Sequence, residues 1–255
     1  MVLRQLLIMA CCILALLACS ESESEILNRL EKMRAKDYFK TSEQLSLIQA
    51  VDQKDLSAIK AAIGKGADMN TPGKDGVTPL FWALIKQNPE GLQLLLELGA
   101  NPNVIVQLPK DFQEAGVSAM DVAARMSDSQ FLKILLENGG DPNAIVNDWN
   151  EPVLHRAIMY RQLDNIKLLV EHGADVNHQD KSQTTPLMLA VTATMHESAL
   201  YLLQQGADPT IKSNLDASPI TMIERYGSRG IDTRTNDLAA YEEFLAELKR
   251  RGYLK

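Results

Sequence analysis

The sequence predicts an all-α fold, a solenoid of helix-turn-helix units joined by hairpin-like fingers. Three observations carry that prediction. A five-residue pattern opening on glycine occurs as Gly66-Ala67-Asp68-Met69-Asn70, Gly99-Ala100-Asn101-Pro102-Asn103, Gly139-Gly140-Asp141-Pro142-Asn143, Gly173-Ala174-Asp175-Val176-Asn177 and Gly206-Ala207-Asp208-Pro209-Thr210. The leading glycines stand 33, 40, 34 and 33 residues apart, and self-similarity at such a period marks stacked supersecondary units. Between them, apolar residues recur at helical spacing behind Thr-Pro or Asn-Pro pairs, which are helix-start chemistry.

The chain opens with Met1 to Ser20, MVLRQLLIMACCILALLACS. Arg4 gives a short positive region and Leu6 to Leu17 an apolar run too short for a comfortable membrane span, which reads as a secretory signal. Leu16-Leu17-Ala18-Cys19 resembles a bacterial lipobox. That resemblance implies a signal peptide over 1–18, cleavage before Cys19 and lipid on its thiol. With no aspartate after the cysteine, it also implies sorting to the outer membrane of a Gram-negative bacterium, facing the periplasm. Cys11 and Cys12 would leave with the signal, so the mature protein would hold no disulfide. Residues 19–41 then form a lipidated start, an acidic tether at Glu21 to Glu25 and a short helical stripe of Ile26, Leu27, Leu30 and Met33.

The repeat domain runs from 42 to 255. Its first unit, ending at Asn70, turns Leu47, Ala50, Ile59 and Ile63 inward and lacks a Thr-Pro entry, as an end repeat is expected to. In the second, Thr78 caps a helix with Pro79 at its first position and Leu80, Ala83 and Leu84 on one face. Asn88 and Pro89 repeat the device ahead of Leu92, Leu95 and Leu96, and Gly99 ends the helix. The third unit is preceded by Val104 to Ala115, about seven residues beyond the 33-residue period; such insertions map to fingers. In the fourth, Asn150 stands in for a turn glycine. The fifth is regular and ends at Thr210. The last unit opens a helix at Ser218-Pro219, passes a loop over Tyr226 to Asn236, and closes with Leu238, Tyr241, Leu245 and Leu248 inward.

Thr78-Pro79-Leu80-Phe81-Trp82-Ala83 and Thr185-Pro186-Leu187-Met188-Leu189-Ala190, at this period, resemble the ankyrin repeat. The resemblance covers nearly all of the mature chain. Repeat four departs from it, with Pro152 where threonine is usual and Val153 where proline is usual.

No catalytic constellation stands out. There is no Gly-x-Ser-x-Gly elbow, phosphate loop or zinc motif, and the glycines punctuate repeats. No enzyme, cofactor or metal is expected. His155 occupies the signature position, where the family implies helix and loop hydrogen bonds; His178 and His196 read as surface or turn residues. The net charge of −7, or −8 once Arg4 is removed, disfavours nucleic acid, because phosphate contacts need Lys and Arg. What remains is surface.

The ankyrin resemblance implies docking at finger tips and on the concave face of the first helices. Trp82, Val122, Arg156 and Leu189, each preceding a signature alanine, are expected on that face. The tips offer Asp75, Asp111, Glu114, Asp148, Trp149, Glu151, Asp180 and Asp216. Trp82 and Trp149 are candidate aromatic anchors, and the carboxylates form a row of one sign suited to a cationic partner. The chain also resembles small ankyrin lipoproteins that act as immunity factors. That resemblance implies a partner protein with a basic pocket, such as a type VI phospholipase effector, with the membrane contacted only through the lipid. The alternative is an accessory scaffold supporting a periplasmic enzyme such as a catalase.

Overall fold

The computed structural model describes residues 32, 34–106, 117–145, 147–226 and 237–255. Cys19, the acidic tether, the stripe from Ile26 to Met33, Asp111, Glu114 and the loop after Tyr226 lie outside the described residues. The chain divides into two compact units, one within Glu21–Asn147 and one within Asp148–Lys255.

The first unit contains α1 (Ala35–Tyr38), α2 (Ser42–Asp52), α3 (Leu56–Gly64), a 3-10 turn (Lys74–Gly76), α4 (Pro79–Ile85), α5 (Pro89–Glu97), β1 (Ile105–Val106), β2 (Val117–Ser118), α6 (Ala119–Arg125) and α7 (Gln130–Glu137). Helices α2, α4 and α6 stack in that order; α3, α5 and α7 stack beside them, and each helix packs on its pair mate. The second unit contains α8 (Val153–Met159), α9 (Leu163–Glu171), α10 (Pro186–Thr192), α11 (His196–Gln204), α12 (Pro219–Tyr226) and α13 (Asp237–Arg250). There α8, α10 and α12 stack, as do α9, α11 and α13. The last pair keeps the order of the others although a long connection separates its helices. The all-α helix-turn-helix class expected from the sequence is the class observed.

Local chemistry sets the helix starts. Thr41, Asp55, Thr78, Asn88, Ser118 and Thr185 accept the backbone N–H three residues on, as N-caps do. Pro79, Pro89 and Pro186 follow their caps, where a missing N–H costs nothing. At α8 the cap position is Pro152 and no side chain replaces the threonine. The second helices end on Gly66, Gly99, Gly139, Gly173 and Gly206, all with φ between +88° and +99°, the left-handed conformation that glycine adopts without strain.

The loop after each glycine carries a bond pattern that repeats as the motif does. Asp68, Asn101, Asp141, Asp175 and Asp208 each accept, through Oδ1, the N–H two residues on. The residue closing the motif then clasps the next repeat. Asn70 donates Nδ2 to Gly99 O at 2.9 Å and accepts Asn101 N at 2.9 Å. Asn103 does the same with Gly139 O and Asp141 N at 3.0 and 2.9 Å, and Asn177 with Gly206 O and Asp208 N at 3.2 and 2.7 Å. One amide thus satisfies a donor and an acceptor that an irregular loop would otherwise leave to water.

The fingers are short hairpins, closed by Gly73 N to Val77 O at 2.8 Å, Asp180 N to Thr184 O at 3.2 Å and Ser213 N to Ala217 O at 2.9 Å. Either side of residues 107–116, which lie outside the described residues, β1 and β2 pair antiparallel, Ile105 with Ser118 and Val106 with Val117.

Burial is broader than one stripe per helix. Every residue of α4 and of α6 is buried, not only Leu80, Ala83 and Leu84; α4 packs between α2 and α6 and against α5, and α6 packs on α4 and α7. Leu47, Ala50 and Ile59 are buried as expected, whereas Ile63 is half-buried. In α13, Tyr241 and Leu248 are buried, Leu238 and Leu245 only half so, and the unforeseen Phe244 is fully enclosed.

Candidate partner-binding surface

The concave positions do not behave as expected. Trp82 is 0 % exposed. Its ring lies 5.7 Å from Phe39 in an edge-on arrangement and 6.2 Å from Tyr38. The indole N–H donates to Asp52 Oδ1 at 2.7 Å, and the Lys86 ammonium stands 5.0 Å from the ring centroid. The end of α1 and the residue after it therefore cover this position, and Trp82 is core rather than a docking residue. Val122 and Arg156 are also buried, and Leu189 is half-buried. The Arg156 guanidinium lies 3.8 Å from the Glu151 carboxylate. A buried cation needs such a partner, so neither residue presents its charge as a separate docking group.

The row of tip carboxylates is largely engaged by its own turns. Asp180 Oδ1 accepts Ser182 N and Thr184 N, both at 2.8 Å, and so shapes its finger. Asp75 sits at φ 59° in the 3-10 turn with Lys74 at 3.6 Å. Asp216 is exposed but pairs with Lys212 at 2.7 Å. Asp148 is the exposed tip carboxylate with no such contact among the described residues.

Trp149 stands as expected, 62 % exposed at a finger tip. The backbone beneath it is fixed. Its carbonyl accepts Lys181 N at 2.9 Å. Asn150, at φ 60°, donates Nδ2 to Gln179 O at 3.1 Å and accepts His178 Nε2 at 2.9 Å through its carbonyl. The next finger along is tied likewise, Asn214 N to Ser182 O and Asn214 Nδ2 to Lys181 O, both at 3.0 Å. Leu215, 54 % exposed, crowns that finger. Trp149, Ser182 and Leu215 are spaced at the 33-residue period, which could have pointed to Leu215 from the sequence. Exposed Lys181 lies between the two apolar tips.

Other polar groups serve the fold. His155 is buried and donates Nε2 to Thr184 O at 3.2 Å, leaving Nδ1 without a partner; its ring meets that of His178 edge-on at 6.1 Å. Burial lowers its pKa to about 4, against the opposing pull of the Thr184 carbonyl. His196, expected at the surface, is buried and packs at 4.8 Å on the Tyr241 ring, because α13 closes over it. Asp121 and Arg125, one helical turn apart in α6, form a buried ion pair that no sequence signal had marked. Among the described residues no group of three His, Cys, Asp or Glu side chains could hold a metal, and no helix is long and apolar enough to cross a membrane.

Comparison with known proteins fits this geometry. The family model "Ankyrin repeats (3 copies)" matches residues 14–106, 47–146 and 119–213. Protein PhlB of Serratia liquefaciens is 30% identical over 186 residues, 72% of this chain and 63% of that protein. A putative ankyrin repeat protein of Rickettsia bellii is 27% identical over 182 residues, 62% of this chain and 26% of that one. Protein phosphatase 1 regulatory subunit 27 of Homo sapiens is 40% identical over 55 residues, 22% of this chain and 36% of that one. The chain thus spans less than two thirds of each of these relatives. Periodic glycines, capped helix pairs and family match agree: the chain belongs to the ankyrin-repeat family.

Proposed function

We propose that this chain is an immunity protein that binds and inhibits an antibacterial phospholipase toxin in the periplasm, tethered to the outer membrane by lipid on Cys19. Its ankyrin repeats make it a protein–protein interaction module. The observation that carries the binding half of the proposal is Trp149, a large aromatic held in water on a finger whose backbone is cross-linked to its neighbour. An exposed indole on a rigid support loses little conformational entropy on docking, which is what anchors at interfaces require.

The toxin half rests on charge and place. A pocket that holds lipid phosphate is cationic, and a chain of net charge −7 complements it. Much of that attraction comes from the whole chain and from Asp148, since Glu151, Asp180 and Asp216 already have partners. Anchoring at Cys19, where the sequence resembles a lipobox, would set the inhibitor beside the toxin's substrate.

The test is capture of the partner from periplasmic extract with the wild-type chain and with Trp149→Ala, followed by assay of the captured enzyme on phospholipid vesicles. Loss of lipid hydrolysis with wild type, restored by the substitution, supports inhibition through this finger. A captured enzyme that keeps full activity would instead indicate the accessory scaffold, and equal capture by both proteins would place the site elsewhere. Incorporation of labelled palmitate, lost in Cys19→Ser, tests the anchor separately.

A further inference from the structure

The finger tips of the second unit form a row with an order of its own. Asp148 and Trp149 crown the first finger, Lys181 the second, and Leu215 with the Lys212–Asp216 pair the third. Backbone bonds join the fingers in sequence, from Lys181 N to Trp149 O and from Asn214 N to Ser182 O. The two apolar side chains are the most exposed large hydrophobics of this unit. The Lys181 ammonium meets no carboxylate among the described residues, and neither does Asp148 meet a cation. The third finger neutralises itself, because Lys212 and Asp216 are 2.7 Å apart. The row therefore reads negative beside the first anchor, positive in the middle and neutral at the second anchor.

We infer that this row takes an extended segment of the partner protein, bearing a cationic side chain next to its first apolar anchor, a carboxylate at its centre and a second apolar anchor. The inference rests on the binding role proposed above and adds the chemistry of what is bound. Adjacent helices lie roughly 10 Å apart, so two repeats separate the anchors by about 20 Å. An extended chain rises about 3.3 Å per residue and turns every second side chain the same way, which sets the partner's anchors about six residues apart and its carboxylate about two or four residues after the first. A helix would need about fourteen residues for the same span, at about 1.5 Å each, so a segment whose anchors stand only about six residues apart reaches both fingers when extended and not when helical. Opposite signs at Asp148 and Lys181 fix which end of the segment meets which finger.

Two synthetic twelve-residue peptides of identical composition test this, each made in both chain directions. One carries arginine two residues before the first leucine anchor, aspartate two residues after it and the second leucine about six residues after it, all on one face of the extended chain; the other exchanges the two charges. Fluorescence anisotropy against the full chain is expected to show the first binding at least about tenfold more tightly. Trp149→Ala and Leu215→Ser should each weaken it about tenfold. The pair Asp148→Lys with Lys181→Glu should reverse the preference. Circular dichroism melts of the variants keep a folding defect from being mistaken for lost contact. Equal binding of both peptides, or binding of neither, overturns the inference. If neither binds while Trp149→Ala still abolishes capture of the partner, the segment chemistry fails and the binding role stands; if Trp149→Ala changes nothing in either assay, both fail.

Discussion

The indole N–H of Trp82 donates to the Asp52 carboxylate at 2.7 Å, joining two first helices 30 positions apart in sequence. With Phe39 and Tyr38 packed against its ring, this tryptophan belongs to the interior, whereas Trp149 is at a tip. Their alanine variants should therefore separate. Trp82→Ala removes a fully enclosed aromatic and should cost about 3–5 kcal/mol in urea unfolding. Trp149→Ala should change stability by no more than about 0.5 kcal/mol. Equal losses would show that the two rings share one role.

Acid should weaken the protein through His155. Its folded pKa, about 4, lies below the ordinary value of 6.5, so between these values the unfolded chain binds more protons than the folded one. The stability owed to the neutral buried ring is complete above about pH 6.5 and is lost as pH falls toward about 4. At full extent it is about 3 kcal/mol, since each tenfold change in proton affinity is worth about 1.4 kcal/mol. Urea midpoints measured from pH 7 to pH 4 should fall, and fall less steeply in His155→Gln.

The buried pair Asp121–Arg125 makes a sharper prediction. Asp121→Asn removes the carboxylate charge that faces the buried Arg125 guanidinium in α6 and should cost about 3–5 kcal/mol. Replacing both residues with apolar ones of similar size, Asp121→Leu with Arg125→Met, should recover most of that loss. A double variant no better than the single one would mean that further bonds, not the charge pair, set the cost.

Thr194 holds φ 55° at the turn between α10 and α11. A β-branched residue is strained there. Thr194→Asn should raise the urea midpoint by an amount equivalent to about 1 kcal/mol. A fall would show that the hydroxyl bond to Ala193 O outweighs the strain.

Asn177 donates to one neighbour and accepts from another across the repeat boundary. Asn177→Ala should cost about 1–2 kcal/mol in the same measurement, and Asn177→Asp, which keeps only the acceptor, should fall between.

What the sequence revealed follows from how local each feature is. Helix starts at Thr78, Asn88 and Thr185 are decided within four residues, and the chain ends its second helices wherever a glycine can take positive φ. Trp149 was legible because a finger tip has few neighbours to cover it. Trp82 was not, since Tyr38 and Phe39 come from outside the repeat period and bring no periodic signal. The acidic row misled for a related reason. Whether Asp180 faces solvent or its own turn depends on hydrogen bonds to Ser182 and Thr184 that composition does not record. His196 looked superficial until α13, arriving across a long connection, closed over it.

The amide clasp at Asn70, Asn103 and Asn177 also bears on how such a chain could be lengthened. At the fifth motif the clasping position is Thr210, whose hydroxyl turns back to Asp208 at 2.6 Å. A hydroxyl on so short a stem cannot reach both a carbonyl and an N–H of an incoming unit. A duplicated repeat spliced after an asparagine would inherit its fastening, while one grafted after Thr210 would arrive unfastened unless that residue were changed as well.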